Sequence, residues 1–160
     1  MKKLLMILPL ALILCLSVSS QVKEAETSSE ELEIELRATI ETLLKAGKEH
    51  DLDTIIEITG GAIGYGYRSK TLRTPDEKLL RAGHKMFWDS IESYEIIPNE
   101  EDVIYRIVGN VGFVLGTFIE KIKPKGGELQ TIEVRTSMTL LRVDGKWKNV
   151  LYHRDTQFAK

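Results

Sequence analysis

The sequence predicts an α+β domain in which helices come first and an antiparallel sheet follows. Three observations carry this. Apolar residues recur at helical spacing from Leu32 to Leu44 and again from Leu79 to Ile91. From Tyr94 onward the period becomes that of strands. Finally, Asp144-Gly145 joins two β-rich runs, Thr131–Val143 and Lys146–His153. Asp-Gly is the strongest short hairpin signal, because both central residues of a type I′ turn need positive φ. Helices segregated from an antiparallel meander pack on one of its faces.

The first twenty residues read as a secretory signal peptide and stand outside the fold. Lys2 and Lys3 precede an apolar run from Leu4 to Leu16, and Ser17-Val-Ser-Ser20 offers small residues for cleavage after Ser19 or Ser20. The run is shorter than the roughly 20 apolar residues of a spanning helix. An uncleaved, membrane-held segment is the alternative. Cys15 follows Leu14, not the small residue that precedes a lipidated cysteine, and is read as part of the apolar run. Residues 21–29 read as a polar, flexible tether, which leaves one domain over residues 30–158.

Ser29 is the expected N-cap of the first helix, with Glu30, Glu31 and Glu33 near its positive end. Leu32, Leu36, Ile40, Leu43 and Leu44 form its apolar stripe, and the helix is expected to end near Gly47 to His50. A second, short helix starts at Asp51 or Asp53 and buries Leu52, Ile55, Ile56 and Ile58. Gly60-Gly-Ala-Ile-Gly-Tyr-Gly-Tyr-Arg68 has four glycines in seven residues and is read as a loop. Thr74 and Pro75 open a third helix, with Leu79, Leu80, Gly83, Met86, Phe87 and Ile91 inward.

The strands are expected at Tyr94–Ile97, Val103–Val108, Val111–Lys123, Leu129–Val143 and Trp147–Arg154, separated by turns at 99–102, 109–110, 124–127 and 144–145. With a two-residue turn at Asp144-Gly145, His153 falls opposite Thr136 and Asn149 opposite Leu140. Trp147, Asn149, Leu151 and His153 then share the more apolar face with Ile132, Val134, Thr136, Met138 and Leu140. Thr136, Asn149 and His153 are the few polar groups that a small-molecule pocket places in an apolar wall. Arg135 and Arg154 fall opposite each other on the outer face, with Tyr152.

The hairpin motif Asp144-Gly-Lys-Trp147, Asn149-Val150 and His153 resembles the closing hairpin of the nuclear transport factor 2-like superfamily, especially its SnoaL-like and kinase-association-domain branches. The resemblance covers roughly residues 30–158. It implies a cone: a strongly curved antiparallel sheet wrapped around the N-terminal helices, with a pocket inside. It also implies a homodimer through the outer sheet face, which agrees with a strand at 111–119 that is apolar on both sides. The element order is also similar to that of ketosteroid isomerases, but the strands supply no inward Asp to match their catalytic Tyr and Asp pair, and Glu120 is read as lying near a strand end.

The ligand-binding expectation gathers Tyr65, Tyr67, Arg68, Trp88, Thr136, Trp147, Asn149 and His153. Tyr65, Tyr67 and Arg68 form either a pocket lid or tyrosines packed on the sheet rim. His153 is either a hydrogen-bonded structural residue or a group that titrates near neutral pH and serves as acid or base.

The formal charge of −2, which becomes −4 without Lys2 and Lys3, includes no basic block, so nucleic acid and anionic surfaces are not expected partners. No CxxC, HExxH, phosphate loop or GxSxG motif is present, so neither cofactor nor metal is predicted. The leading expectation is an exported protein that binds a small apolar or amphipathic molecule. An isomerase, dehydratase or cyclase using His153, and an interaction module without catalysis, are the alternatives.

Overall fold

Ser28 and Glu31 close a capping box at the start of the first helix: the Glu31 amide donates to Ser28 Oγ, and the Ser28 amide donates to Glu31 Oε2. The computed structural model describes residues 28–66, 71–73 and 76–157, with 63–66, 71–73 and 157 described by backbone alone. Helix α1 is Ser29–Glu49, so the cap lies one residue before the expected Ser29. It ends at His50, which takes a left-handed conformation. Helix α2, Leu52–Thr59, is capped by Asp51 and buries Ile55 and Ile58.

The glycine-rich stretch then departs from expectation. Ile63–Gly66 is strand β1, paired with β2 at Thr71–Arg73. Glycine lacks side-chain contacts, but its amide and carbonyl groups still pair in a ladder. Helix α3, Glu77–Asp89, is capped by Asp76. Thr74 and Pro75, the expected cap and first residue, lie outside the described residues. The stripe read as inward is only partly so. Leu80 and Phe87 are half-buried, Leu79 and Met86 are exposed, and the buried Ile91 belongs to the next strand.

Strands β3 (Ile91–Pro98), β4 (Ile104–Val108), β5 (Val111–Pro124), β6 (Gln130–Val143) and β7 (Lys146–Gln157) complete one seven-stranded sheet in the order β2-β1-β7-β6-β5-β3, with β4 also on β5. All pairs are antiparallel except β1 with β7, which run parallel. Both β3 and β4 lie on the same edge of β5, on its second and first halves. Between them, Gly116 of β5 packs against the turn that joins β3 to β4.

The curved sheet holds α1 in its concavity. Leu36 and Ile40 of α1 are fully buried and share the core with Val114, Phe118, Met138, Leu140 and Trp147. Each such side chain contributes roughly 1.5–3 kcal/mol by leaving water. Gly112 brings helix and sheet together, because a Cβ there would stand 2.8 Å from Leu36 Cδ2. The architecture is therefore the expected α+β cone: a curved, predominantly antiparallel sheet around the N-terminal helices.

Candidate functional site

The β6–β7 hairpin decides which side chains enter the cone. Asp144 and Gly145 both have positive φ, and Val143 pairs with Lys146, as the turn requires. Leu140 then pairs with Asn149 as expected. The next pair is Thr139 with Leu151, which leaves Val150 as the extra residue of a β-bulge. Beyond it the faces are exchanged. Tyr152 lies across from Met138 and Arg154 across from Thr136, on the inner face. His153 lies across from Ser137 and is exposed.

This corrects the expected placement of His153 and of the two arginines. His153 and Leu151 are on the outer face, because the bulge adds one residue after Asn149. Arg135 lies opposite Asp155, not Arg154, so the two like charges never meet. Trp147, Asn149 and Thr136 are buried as expected, at 3 %, 2 % and 7 % exposure.

The inward turn of Arg154 creates a polar centre. Glu120 on β5 is buried, and its Oε2 accepts a short hydrogen bond from Arg154 Nη2. Its Oε1 accepts from the Tyr94 hydroxyl of β3 at 3.2 Å. Burial pushes the Glu120 carboxyl above its ordinary value, with Arg154 and Tyr94 opposing. Burial and the neighbouring Glu120 charge push the Tyr94 phenol up strongly, so it remains a proton donor. Phe87 of α3 meets the Tyr94 ring edge-on, 5.3 Å between centroids.

Four buried polar atoms on this face lack a hydrogen-bond partner: Thr136 Oγ1, Trp147 Nε1, Asn149 Oδ1 and Arg154 Nε. A sealed polar atom without a partner costs about 1–3 kcal/mol. All four belong to β6 and β7, and all face the concavity. They mark where the interior is built to hold polar atoms beyond its own, from water or a ligand. A surface depression lined by Ser29, Glu30, Glu33 and Ile34 contains none of these groups.

The remaining expected residues do not join this centre. Trp88 stacks on His50, with centroids 4.7 Å apart and planes 14° apart, and is tilted against His84 at 5.3 Å. It ties α3 to the end of α1. Tyr65 is in β1, where its backbone aligns with His153. Tyr67 and Arg68 lie outside the described residues. Among the described residues, no three His, Cys, Asp or Glu side chains gather as a metal site. Sequence reading missed Tyr94, Glu120 and Arg154 as a group. The available signal was a Glu in line with the inward positions Val114 and Phe118 of β5.

Comparison with solved structures places this architecture. A nuclear transport factor 2-like superfamily protein from Salmonella enterica serovar Typhimurium superposes with TM-score 0.70, at 10% identity, over 83% of this chain and 96% of that one. The chain has the nuclear transport factor 2-like fold. A candidate dehydratase of the NTF2-like family from Streptomyces avermitilis gives 0.69 at 14% identity, over 82% and 100% of the two chains. A candidate aromatic ring hydroxylase from Novosphingobium aromaticivorans gives 0.71 at 14% identity, over 83% and 94%. No protein-family model and no curated protein matches the sequence. This fold hosts enzymes and non-enzymes alike, so function has to be argued from the NTF2-like interior of this chain.

Proposed function

We propose that this protein is exported and binds a small apolar or amphipathic molecule inside the cone, as a homodimer through the outer sheet face. The observation that carries the reading is the set of unpaired polar atoms on an inner face that is apolar outside the Glu120–Arg154–Tyr94 centre. A pocket of this kind uses apolar walls for affinity and a few fixed polar groups for orientation. Thr136, Asn149 and Trp147 keep their proposed ligand-binding roles. Arg154 and Tyr152 take the position first given to His153.

The outer face supports the dimer. Ile104 and Leu115 pair across β4 and β5, and they are 61% and 46% exposed. Leu151, 49% exposed, lies on the same face through Phe113 and Thr139. Export rests on the Lys2-Lys3 and Leu4–Leu16 pattern. No helix among the described residues is long and apolar enough to cross a membrane.

A second reading has its own observation. Glu120 is a buried carboxyl raised by desolvation, beside a phenol that keeps its proton. That pairing suits proton transfer, with Glu120 as base and Tyr94 as donor. Two of the similar structures are a candidate dehydratase and a candidate aromatic ring hydroxylase. In this reading Glu120 takes the acid–base role, since His153 faces outward.

Native mass spectrometry of the protein purified from an exporting host tests the leading reading. A retained small molecule and a dimer mass are expected, with an N-terminus near Gln21. An empty monomer with its N-terminal segment intact would sink it.

A further inference from the structure

We infer that the half-filled guanidinium of Arg154 is the head-group site for a carboxylate-bearing amphipath, and that Glu120 occupies this site in the empty protein. The inference rests on the ligand-binding reading above and names the ligand class for it.

Two arginines of the hairpin provide the comparison. Arg142 gives Nε and Nη2 to the two oxygens of Glu35, at 2.9 and 3.2 Å, so its fork is closed. Arg154 gives Nη2 to one oxygen of Glu120, and its Nε has no acceptor. Glu120 does not close this second fork: its other oxygen points to Tyr94 and accepts from that hydroxyl. A guanidinium matches a carboxylate through two parallel N–H···O bonds. Arg154 is therefore left short of one acceptor.

Thr136 stands directly across the ladder from Arg154, and its hydroxyl is buried and unpartnered. Cross-strand partners have Cβ atoms roughly 4.5–5.5 Å apart. A carboxylate that displaced Glu120 would accept from Arg154 Nε and Nη2 and from the Thr136 hydroxyl together. Its apolar body would lie along Ile96 and Tyr152, which are half-buried: Ile96 pairs with Glu120, and Tyr152 precedes Arg154 on the same face. The Nε and Oγ1 atoms are sealed from solvent, while the Arg154 side chain is 35% exposed. Entry therefore requires Arg154 to turn, exchanging the Glu120 carboxylate for that of the ligand.

The test is calorimetric titration of the exported protein with decanoate, decanol and 3-phenylpropanoate. Decanoate is expected to bind at least tenfold tighter than decanol, which has the same body without the charge. Glu120→Gln removes the internal competitor and should tighten decanoate about tenfold while leaving decanol unchanged. Thr136→Val is nearly isosteric and should weaken decanoate about fivefold, a result independent of how well Glu120→Gln folds. Comparable binding of 3-phenylpropanoate would support a site for carboxylates on aromatic as well as aliphatic bodies, and decanoate alone would support an aliphatic source. Equal affinity for decanoate and decanol would overturn this inference and leave ligand binding in the cone standing. Absence of binding by any probe, in wild type and both variants, would also overturn it, while the native mass measurement decides the broader reading separately.

Discussion

Gly116 and Val103 are in backbone contact: a Cβ on residue 116 would stand 2.6 Å from the Val103 Cα and 2.7 Å from the Asp102 carbonyl oxygen. Gly116 also has φ of 155°, which side chains other than hydrogen rarely adopt. The contact sits where β5 passes from β4 to β3, so the β3–β4 turn packs directly on the β5 backbone there. Neither obstacle is a flexible side chain, and neither can move without shifting the β3–β4 turn. Gly116→Ala should therefore cost about 2–4 kcal/mol and lower the Tm by roughly 10 °C. Gly83→Ala in α3 is the control. A Cβ there meets nothing within 4 Å. Helix propensity should make this variant more stable by up to about 1 kcal/mol. Thermal unfolding of both variants checks the pair, and equal Tm values would show that the contact with the β3–β4 turn does not require Gly116.

The Glu120 carboxyl predicts a pH dependence of known sign. Its folded value is raised by burial, so between its unfolded value, near 4.5, and that raised value the native state holds the extra proton. Stability from this group is therefore present at low pH and lost as pH rises through the window. Exposed carboxylates act the other way. Glu57 and Glu95 are lowered by their lysine partners, Asp51 by Thr54, and each stabilises above its unfolded value. Glu120→Gln deletes only the first contribution. Wild type should lose stability relative to Glu120→Gln as pH rises from about 4.5, measured by urea unfolding across the window. Superimposed on that slope is a pH-independent offset from giving Arg154 a neutral amide in place of the carboxyl group. It should fall below the roughly 3–5 kcal/mol of a fully buried pair, because Arg154 is partly exposed. A pH-independent difference would show that Glu120 is not raised.

The sequence made the hairpin and α1 legible for different reasons. Asp144-Gly145 states its own geometry, since few residue pairs accept two positive φ values. The stripe from Leu32 to Leu44 has one period and one solution. The bulge at Val150 has no such mark. Asn149-Val-Leu-Tyr-His153 alternates acceptably in either register, so nothing local says that Tyr152 and Arg154, not Leu151 and His153, turn inward. The ion pair was hidden for a related reason. Glu120 meets Arg154 and Tyr94 only through the sheet, 34 and 26 residues away in sequence. β1 was missed because glycine density argues against helix but leaves main-chain pairing undecided.

Thr136→Val separates stability from function. The Thr136 hydroxyl is buried and unpartnered, and valine keeps the side-chain shape. Removing an unsatisfied polar atom should stabilise the empty protein by about 1 kcal/mol. A protein built only for stability would not keep the hydroxyl there. The expected result is a higher denaturant midpoint together with less retained ligand. By contrast, His153→Ala on the exposed outer face should leave retention unchanged. Lost retention in His153→Ala with full retention in Thr136→Val would reverse the assignment of the inner face.

Leu115 tests the proposed pairing of two copies. It is exposed on the convex face, flanked by Ile104 on β4 and Ser137 on β6. A stable interface buries about 1,200–2,000 Å² in all, and its centre tolerates unpaired charge poorly. Around Leu115 the face already carries Arg106, so a further cation would meet like charge from its own copy and from the symmetry-related one. Leu115→Arg should weaken self-association by at least tenfold, read by sedimentation over a range of concentrations. Its Tm at high dilution should stay near that of wild type, because the side chain lies outside the core. An oligomer unaffected by Leu115→Arg would place the contact elsewhere, with the exposed Leu79 and Met86 of α3 as the next surface to alter.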